Sequence, residues 1–356
     1  MSELLAGPVE VVGAGLLGTS IGLACRRAGV ETFLHDLSAE HLRTASGLGA
    51  GRPRHPDDRP QLVVVAVPPD QLGSEIVEAL RRTDAVVTDV GSIKSEPLQT
   101  VGEQLPDLLG RYVGSHPMAG SERSGPLAAS AALFDGRPWA ITPHDEATPH
   151  AVSLVEELAR ICGAVPVTLA PEEHDRAVAR ISHLPHLLAV LVAGRLADAP
   201  DSHLALSGQG VRDVTRVAGG DPALWEQIVR HNAEALRGLL AEVREELDAL
   251  QNALSDGDRE VIGSLLARGV AGTEAIPGKH GGPARATRSV FVSVPDHPGE
   301  LARLFADAGA ADVNIEDVHI DHDPGRPVGL VELLVEERRA EHLLSSLESR
   351  GWVTHR

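Results

Sequence analysis

The chain has 356 residues, enough at about 150 per domain for two to three domains that each bury a core, so a single small module is excluded. Lys and Arg total 32 against 51 Asp and Glu, and the formal charge of −19 excludes a general affinity for nucleic acid or anionic membrane. With only 4 Phe, 3 Trp and 1 Tyr, stacking platforms for single-stranded nucleic acid are excluded too, while 42% hydrophobic residues suffice for a folded protein.

From Pro8 to about Val167, short β-rich runs alternate with helical patterns, the sign of βαβ units and a parallel sheet covered on both faces. The expected strands are Val9–Val12, Thr32–His35, Leu62–Val67, Ala85–Val90, Tyr112–Ser115 and Trp139–Thr142. From Pro171 to about Gly269 the strand pattern gives way to apolar residues at helical spacing, such as Leu236, Leu239, Leu240, Val243, Leu247 and Leu250. That pattern predicts an all-helical domain whose exposed faces pair in a homodimer. A Gly, Pro and basic stretch, 273–288, reads as a linker. After it, 289–356 follows the strand, helix, strand, strand, helix, strand order of a ferredoxin-like unit. The expected domains are therefore 1–169, 170–272 and 289–356.

Cys25 and Cys162 make neither a disulfide framework nor a metal site, and fit buried thiols in a reducing cytoplasm. The opening MSELLAGPVEVVG lacks the basic-then-apolar order of a signal peptide. The longest apolar runs, Leu62–Val67 and Leu187–Ala193, fall far below the ~18 residues of a membrane span.

The first strand leads directly into Gly13-Ala14-Gly15-Leu16-Leu17-Gly18 and then a helix. In such a loop the first glycine makes the turn, the second admits a pyrophosphate, and the third lets helix and strand pack closely. Phosphates would sit on the free N–H groups of the helix. Asp36 ends the second strand, 23 residues after Gly13, where a carboxylate accepts the adenosine ribose hydroxyls. That favours NAD over NADP, with Arg43 the nearby cation that a 2′-phosphate would need.

His116 follows the strand Tyr112–Ser115 at its C-terminal end, where open α/β sheets bind ligands and where an imidazole can take a hydroxyl proton. Ser92 could fix the same hydroxyl. Each also has an ordinary reading, as a loop histidine and a helix N-cap. In the helical region, Ser182-His183-Leu184-Pro185-His186 and Val211-Arg212-Asp213-Val214-Thr215-Arg216 offer an arginine able to hold a carboxylate, though spacing alone leaves them as surface groups.

The ordered motifs GAGLLG, DVGSIKSE, GSHPMAGSERSG, LFDGRPWAITP, EEHD, SHLPH and RDVTRVAGGDPALW resemble those of the prephenate dehydrogenases, the TyrA family. The similarity runs from about Val9 to Asn252, and Pro295–Leu301 with Val313-Asn314-Ile315 resembles an ACT regulatory domain. The resemblance implies NAD-dependent oxidative decarboxylation of prephenate to 4-hydroxyphenylpyruvate, without a metal. It implies His116 as general base, Ser92 as its partner on the hydroxyl, and Arg216 on a substrate carboxylate. His186 and Ser182 match substrate-lining positions, Glu122 and Asp213 gating and ionic-network positions, and Trp225 one contributed near the pocket from the partner subunit. In the ACT-like unit it implies a tyrosine site at Gly299, flanked by Asp296 and Asn314.

The rival substrates are arogenate and 4-amino-4-deoxyprephenate. A β-hydroxyacid dehydrogenase fails for want of a lysine in the helical region, since the lysines are Lys94 and Lys279. A non-catalytic NAD or tyrosine sensor would have no use for His116 and Ser92 together.

Overall fold

A computed structural model describes residues 4–120, 124–276, 286–322 and 328–355. The chain forms two compact units, residues 1–248 and 249–356, with the boundary inside a long helix.

The first unit opens with β1 (Val9–Val12), α1 (Leu16–Arg27), β2 (Thr32–His35), α2 (Ala39–Gly47), β3 (Arg52–Pro53), β4 (Leu62–Val65) and α3 (Pro69–Arg82). It continues through β5 (Val86–Asp89), α4 (Ser95–Gln104), β6 (Tyr112–Pro117), β7 (Pro138–Thr142), α5 (Pro149–Ile161) and β8 (Val165–Thr168). The eight strands run in the order β3-β2-β1-β4-β5-β6-β7-β8. Alternation along the strands builds two cores. Leu62 and Val64 of β4 pack toward Ile21 of α1 and Leu154 and Leu158 of α5, whereas Val63 and Val65 pack toward Leu72, Ile76 and Leu80 of α3. Each such buried aliphatic side chain contributes about 1.5–3 kcal/mol. The charged Glu10 sits fully buried in β1 because Arg82 grips it with bonds of 2.7 and 2.9 Å.

One expectation needs correcting: the sheet is not wholly parallel. β7 pairs antiparallel with β6, and β8 runs parallel to β7, so this edge is reversed. Parallel neighbours need a long crossover, usually a helix, and no α-helix stands between β6 and β7 among the described residues. β3 and β8 were not expected; β3 has two exposed residues and β8 alternates weakly, so neither shows a buried apolar run.

Beyond the sheet come α6 (Pro171–Val178), a π-helical turn (Ala179–His183), α7 (Leu184–Gly194), α8 (Asp201–Leu204), α9 (Gln209–Arg216), α10 (Pro222–His231) and α11 (Ala233–Asp256). By length and a mean hydropathy of 1.4, Pro171–Gly194 would suffice to cross a membrane, which its short uninterrupted runs do not suggest. Its His174, Asp175, His183 and His186 are buried against partners within the first unit, while Ile181, Val190, Leu191 and Val192 are exposed.

The second unit holds α12 (Arg259–Glu274), β9 (Thr287–Pro295), α13 (Glu300–Ala310), β10 (Ile315–His322), β11 (Val328–Glu336), α14 (Glu337–Ser349) and β12 (Val353–His355). Its antiparallel sheet, in the order β10-β11-β9-β12, has the ferredoxin-like topology expected and packs Val292, Val331 and Leu333 against Leu304, Leu343 and Leu347.

Candidate active site

The cofactor cradle follows from the glycines. Gly13 has φ +101°, and a Cβ there would lie 2.3 Å from the Ala66 carbonyl. A Cβ on Gly18 would lie 1.8 Å from the Gly13 carbonyl, so α1 can approach β1 only without one. Gly15, the residue capping α1, faces open space instead. The first turn of α1 has no acidic residue and no capping side chain, so its N–H groups with Leu16 and Leu17 are free for an anion. Asp36 stands just past β2, accepting from Ala14 N and Ser38 N at 2.6 Å each, and a carboxylate with two such bonds keeps lone pairs for ribose hydroxyls. These residues fit a dinucleotide.

His116 lies inside β6 rather than after it, opposite Ala140 of β7, so its imidazole is placed by a strand. Its Nδ1 is 2.9 Å from Nε2 of His174, and His174 Nδ1 is 2.9 Å from Oδ1 of Asp175. Asp175 also accepts from Lys94 N at 2.9 Å and Ser95 N at 2.8 Å, which ties α6 to the start of α4. Beneath His116 is a buried ion pair. Lys94 Nζ pairs with Asp89 and donates to the Ser115 carbonyl, the latter at 2.7 Å; Asp89 also accepts from Tyr112 Oη at 2.8 Å and Gly91 N at 2.9 Å. Both charged groups of the pair have hydrogen-bond partners, as burial demands.

The electrostatics follow from this packing. Burial pushes His116 well below 6.5, helped by His174, the Lys94 cation and His183. Burial also lowers His174 against the opposing pull of Asp175, and takes His183 down to about 4. For Asp175 burial works upward, but hydrogen bonds from His174, Ser95 and Lys94 outweigh it and the carboxyl stays below 3.8. Burial lowers Lys94, with Asp89 opposing. The imidazoles are thus neutral and the Asp175 carboxylate ionised at neutral pH.

Of the substrate-lining expectations, His186 is buried and stacks face to face on Trp225, 3.4 Å apart at 7°. Within its own chain Trp225 also meets the His183 ring edge-on, with centroids 6.1 Å apart. Gly220 leaves it room, since a Cβ there would meet the indole at 2.5 Å. A hydrogen bond to the Val217 backbone opposes the lowering of His186 by burial and links it to the residue after Arg216. Arg216 ends α9, and Asp213, one turn earlier, is exposed and accepts from Gln209 at 2.8 Å. Ser182 is exposed in the π turn. Ser92 lies between β5 and α4 but is not the N-cap, a position held by Lys94. Glu122 falls outside the described residues.

In the second unit, Gly299 caps α13 at φ +96°, where a left-handed conformation favours glycine, and Asp296 is nearby and exposed. Asn314 does not join them. β9 ends beside Val328 while β10 begins beside Val335, so Asp296 and Asn314 lie at opposite ends of the sheet. Asn314 bonds Glu316 at 2.8 Å instead.

Sequence reasoning passed over Lys94, Asp89, His174, Asp175 and Asn232. EEHD was visible as a motif, yet its pairing with His116 spans 58 residues and no local period predicts it.

A dinucleotide cradle on β1 and α1 with a neutral imidazole on β6 defines an oxidoreductase of the two-domain dehydrogenase class. Family models agree: a prephenate dehydrogenase nucleotide-binding domain matches residues 21–168, and a prephenate dehydrogenase dimerization domain matches 170–268. The chain is 39% identical over 354 residues to a probable prephenate dehydrogenase, NovF, of Streptomyces niveus, covering 96% of this chain and 98% of that one. It is 29% identical to the prephenate dehydrogenase of Bacillus subtilis, covering 88% and 87%. Among solved structures, a prephenate dehydrogenase from A. aeolicus in complex with hydroxyphenyl propionate and NAD+ superposes with a TM-score of 0.70 at 26% identity, covering 77% of this chain and 100% of that one. The chain belongs to the prephenate dehydrogenase family.

Proposed function

We propose that this protein oxidises prephenate with NAD, releasing CO2 and 4-hydroxyphenylpyruvate. The observation that carries the reading is His116, neutral and part-buried, with Nδ1 committed to His174 and Nε2 left for a substrate hydroxyl.

Bound NAD supplies the hydride acceptor. His116 Nε2 takes the ring hydroxyl proton as hydride leaves the same carbon, a role typically worth ~10²–10⁴ in rate. Loss of the ring carboxylate as CO2 leaves its electron pair in the ring, which becomes aromatic. The proton held on His116 returns to the phenolate oxygen, so none is gained or lost overall. Ser92 orients that hydroxyl. Arg216 holds the pyruvyl carboxylate, because a clamp on the departing carboxylate would stabilise the charge that must leave. His186, packed on Trp225, lines the same region with Ser182. Steady-state NADH formation from prephenate tests the reading; its absence removes it.

A second substrate has its own support, since an arogenate dehydrogenase from Synechocystis superposes with a TM-score of 0.64 at 25% identity. Arogenate assayed beside prephenate decides between them through kcat/KM.

The active form is a homodimer. Supporting this are the dimerization model over 170–268 and exposed apolar side chains on the helices, among them Leu191, Leu247, Leu254 and Leu266. The free, buried thiols of Cys25 and Cys162 suit a cytoplasmic location.

A further inference from the structure

We propose that His174, held by Asp175, is a positioning residue that fixes His116 as its Nδ1–H tautomer and so reserves Nε2 as the base. The inference rests on His116 being the base in the reading above.

The argument is an accounting of protons. Asp175 as a carboxylate can only accept, so His174 Nδ1, 2.9 Å from Oδ1, must carry a hydrogen. A neutral imidazole has one N–H, which leaves His174 Nε2 as an acceptor. That atom lies 2.9 Å from His116 Nδ1, which must therefore donate. The single proton of neutral His116 is thereby used, and the lone pair is on Nε2. The burial that keeps both rings neutral is what makes the accounting unambiguous.

The carboxylate at the head of this chain cannot turn away. Its oxygens also take Lys94 N and Ser95 N, and the Asp175 carbonyl accepts from Asn232 Nδ2 at 2.9 Å, whose amide also contacts His183 Nδ1 at 3.1 Å. One aspartate thus anchors α4 and sets a tautomer two rings away. When Nε2 takes the substrate proton, the imidazolium has the His174 lone pair and the Asp175 charge behind it, and returns that proton without reorganisation.

The test is 15N NMR of histidine-labelled protein with NAD bound, using His116→Asn to assign the His116 signals, together with kinetics on prephenate. Wild type should show Nδ1–H and a bare Nε2 on His116. His174→Leu should release the constraint and lower kcat about 100-fold with NAD affinity unchanged. His174→Gln, whose Oε1 can accept from Nδ1, should recover most of that loss. Should the leucine variant fail to fold, the wild-type 15N spectrum still decides by itself, since Nδ1–H on His116 is expected and Nε2–H is the contrary result. An Nε2–H tautomer in the wild type, or a leucine variant with wild-type tautomer and kcat, overturns the proposal. If the wild type turns over no prephenate, the functional reading falls, and the tautomer result still decides this inference.

Discussion

A histidine acts as a base only when neutral, and His116 is held neutral by burial, His174, Lys94 and His183. Activity is therefore complete above its pKa and lost as pH falls through it. The acid limb of kcat/KM should lie below the ordinary histidine value of 6.5, and a limb at or above that value contradicts the electrostatics. His183 gives a matching stability prediction. Its pKa is depressed from 6.5 to about 4, so the unfolded chain binds the proton first as pH drops. Stability should decline between pH 6.5 and 4, by on the order of 3 kcal/mol from this group, and His183→Gln should flatten the decline in urea titrations. Arg216→Ala should raise KM for prephenate about 10- to 100-fold, the worth of charge-assisted bonds of about 1.5–3 kcal/mol; an unchanged KM places the carboxylate elsewhere. At this scale the placement of the glycine loop and of His116 on its strand was legible because strand and motif are contiguous. The Lys94–Asp175 contact joins residues 81 apart and became visible only in the fold.

The Gly-rich loop separates folding from binding at the level of one element. Gly18→Ala drives a Cβ into a backbone carbonyl at 1.8 Å and should destabilise the first unit as well as abolish NAD binding. Gly15→Ala meets nothing in the protein, so it should leave the melting temperature in place and weaken NAD binding measured by fluorescence. Equal effects of the two substitutions on stability would contradict the assignment. The βαβ alternation was readable because β1, β4 and β5 are buried along their whole length and rich in valine, with β4 wholly apolar, although Glu10 interrupts β1 and Thr88 and Asp89 end β5. Strand direction was not, since the reversal at β7 depends on the connection before it, and the two-residue β3 has no pattern to read. The opposite placement of Asp296 and Asn314 was likewise hidden, because closeness in a motif says nothing about which end of a sheet a residue occupies.

For the whole molecule, the formal charge of −19 leaves anion capture to local devices such as the amide cradle of α1, with the arginine of α9 proposed for the substrate. Light scattering should give twice the chain mass. Replacing Leu247 and Leu254, which share a stripe on α11, by Glu should yield a folded monomer; a monomeric wild type removes the dimer. Saturable inhibition by tyrosine would assign effector binding to the second unit, and a flat response leaves that unit an assembly element. The most direct measurement of the central claim is the stoichiometry of NADH and CO2 formed from prephenate by wild type and His116→Asn. The account predicts one of each per turnover in the wild type, and a variant that binds NAD normally but is slower by ~10²–10⁴. A variant with near-normal turnover, or NADH formed without CO2, would contradict it.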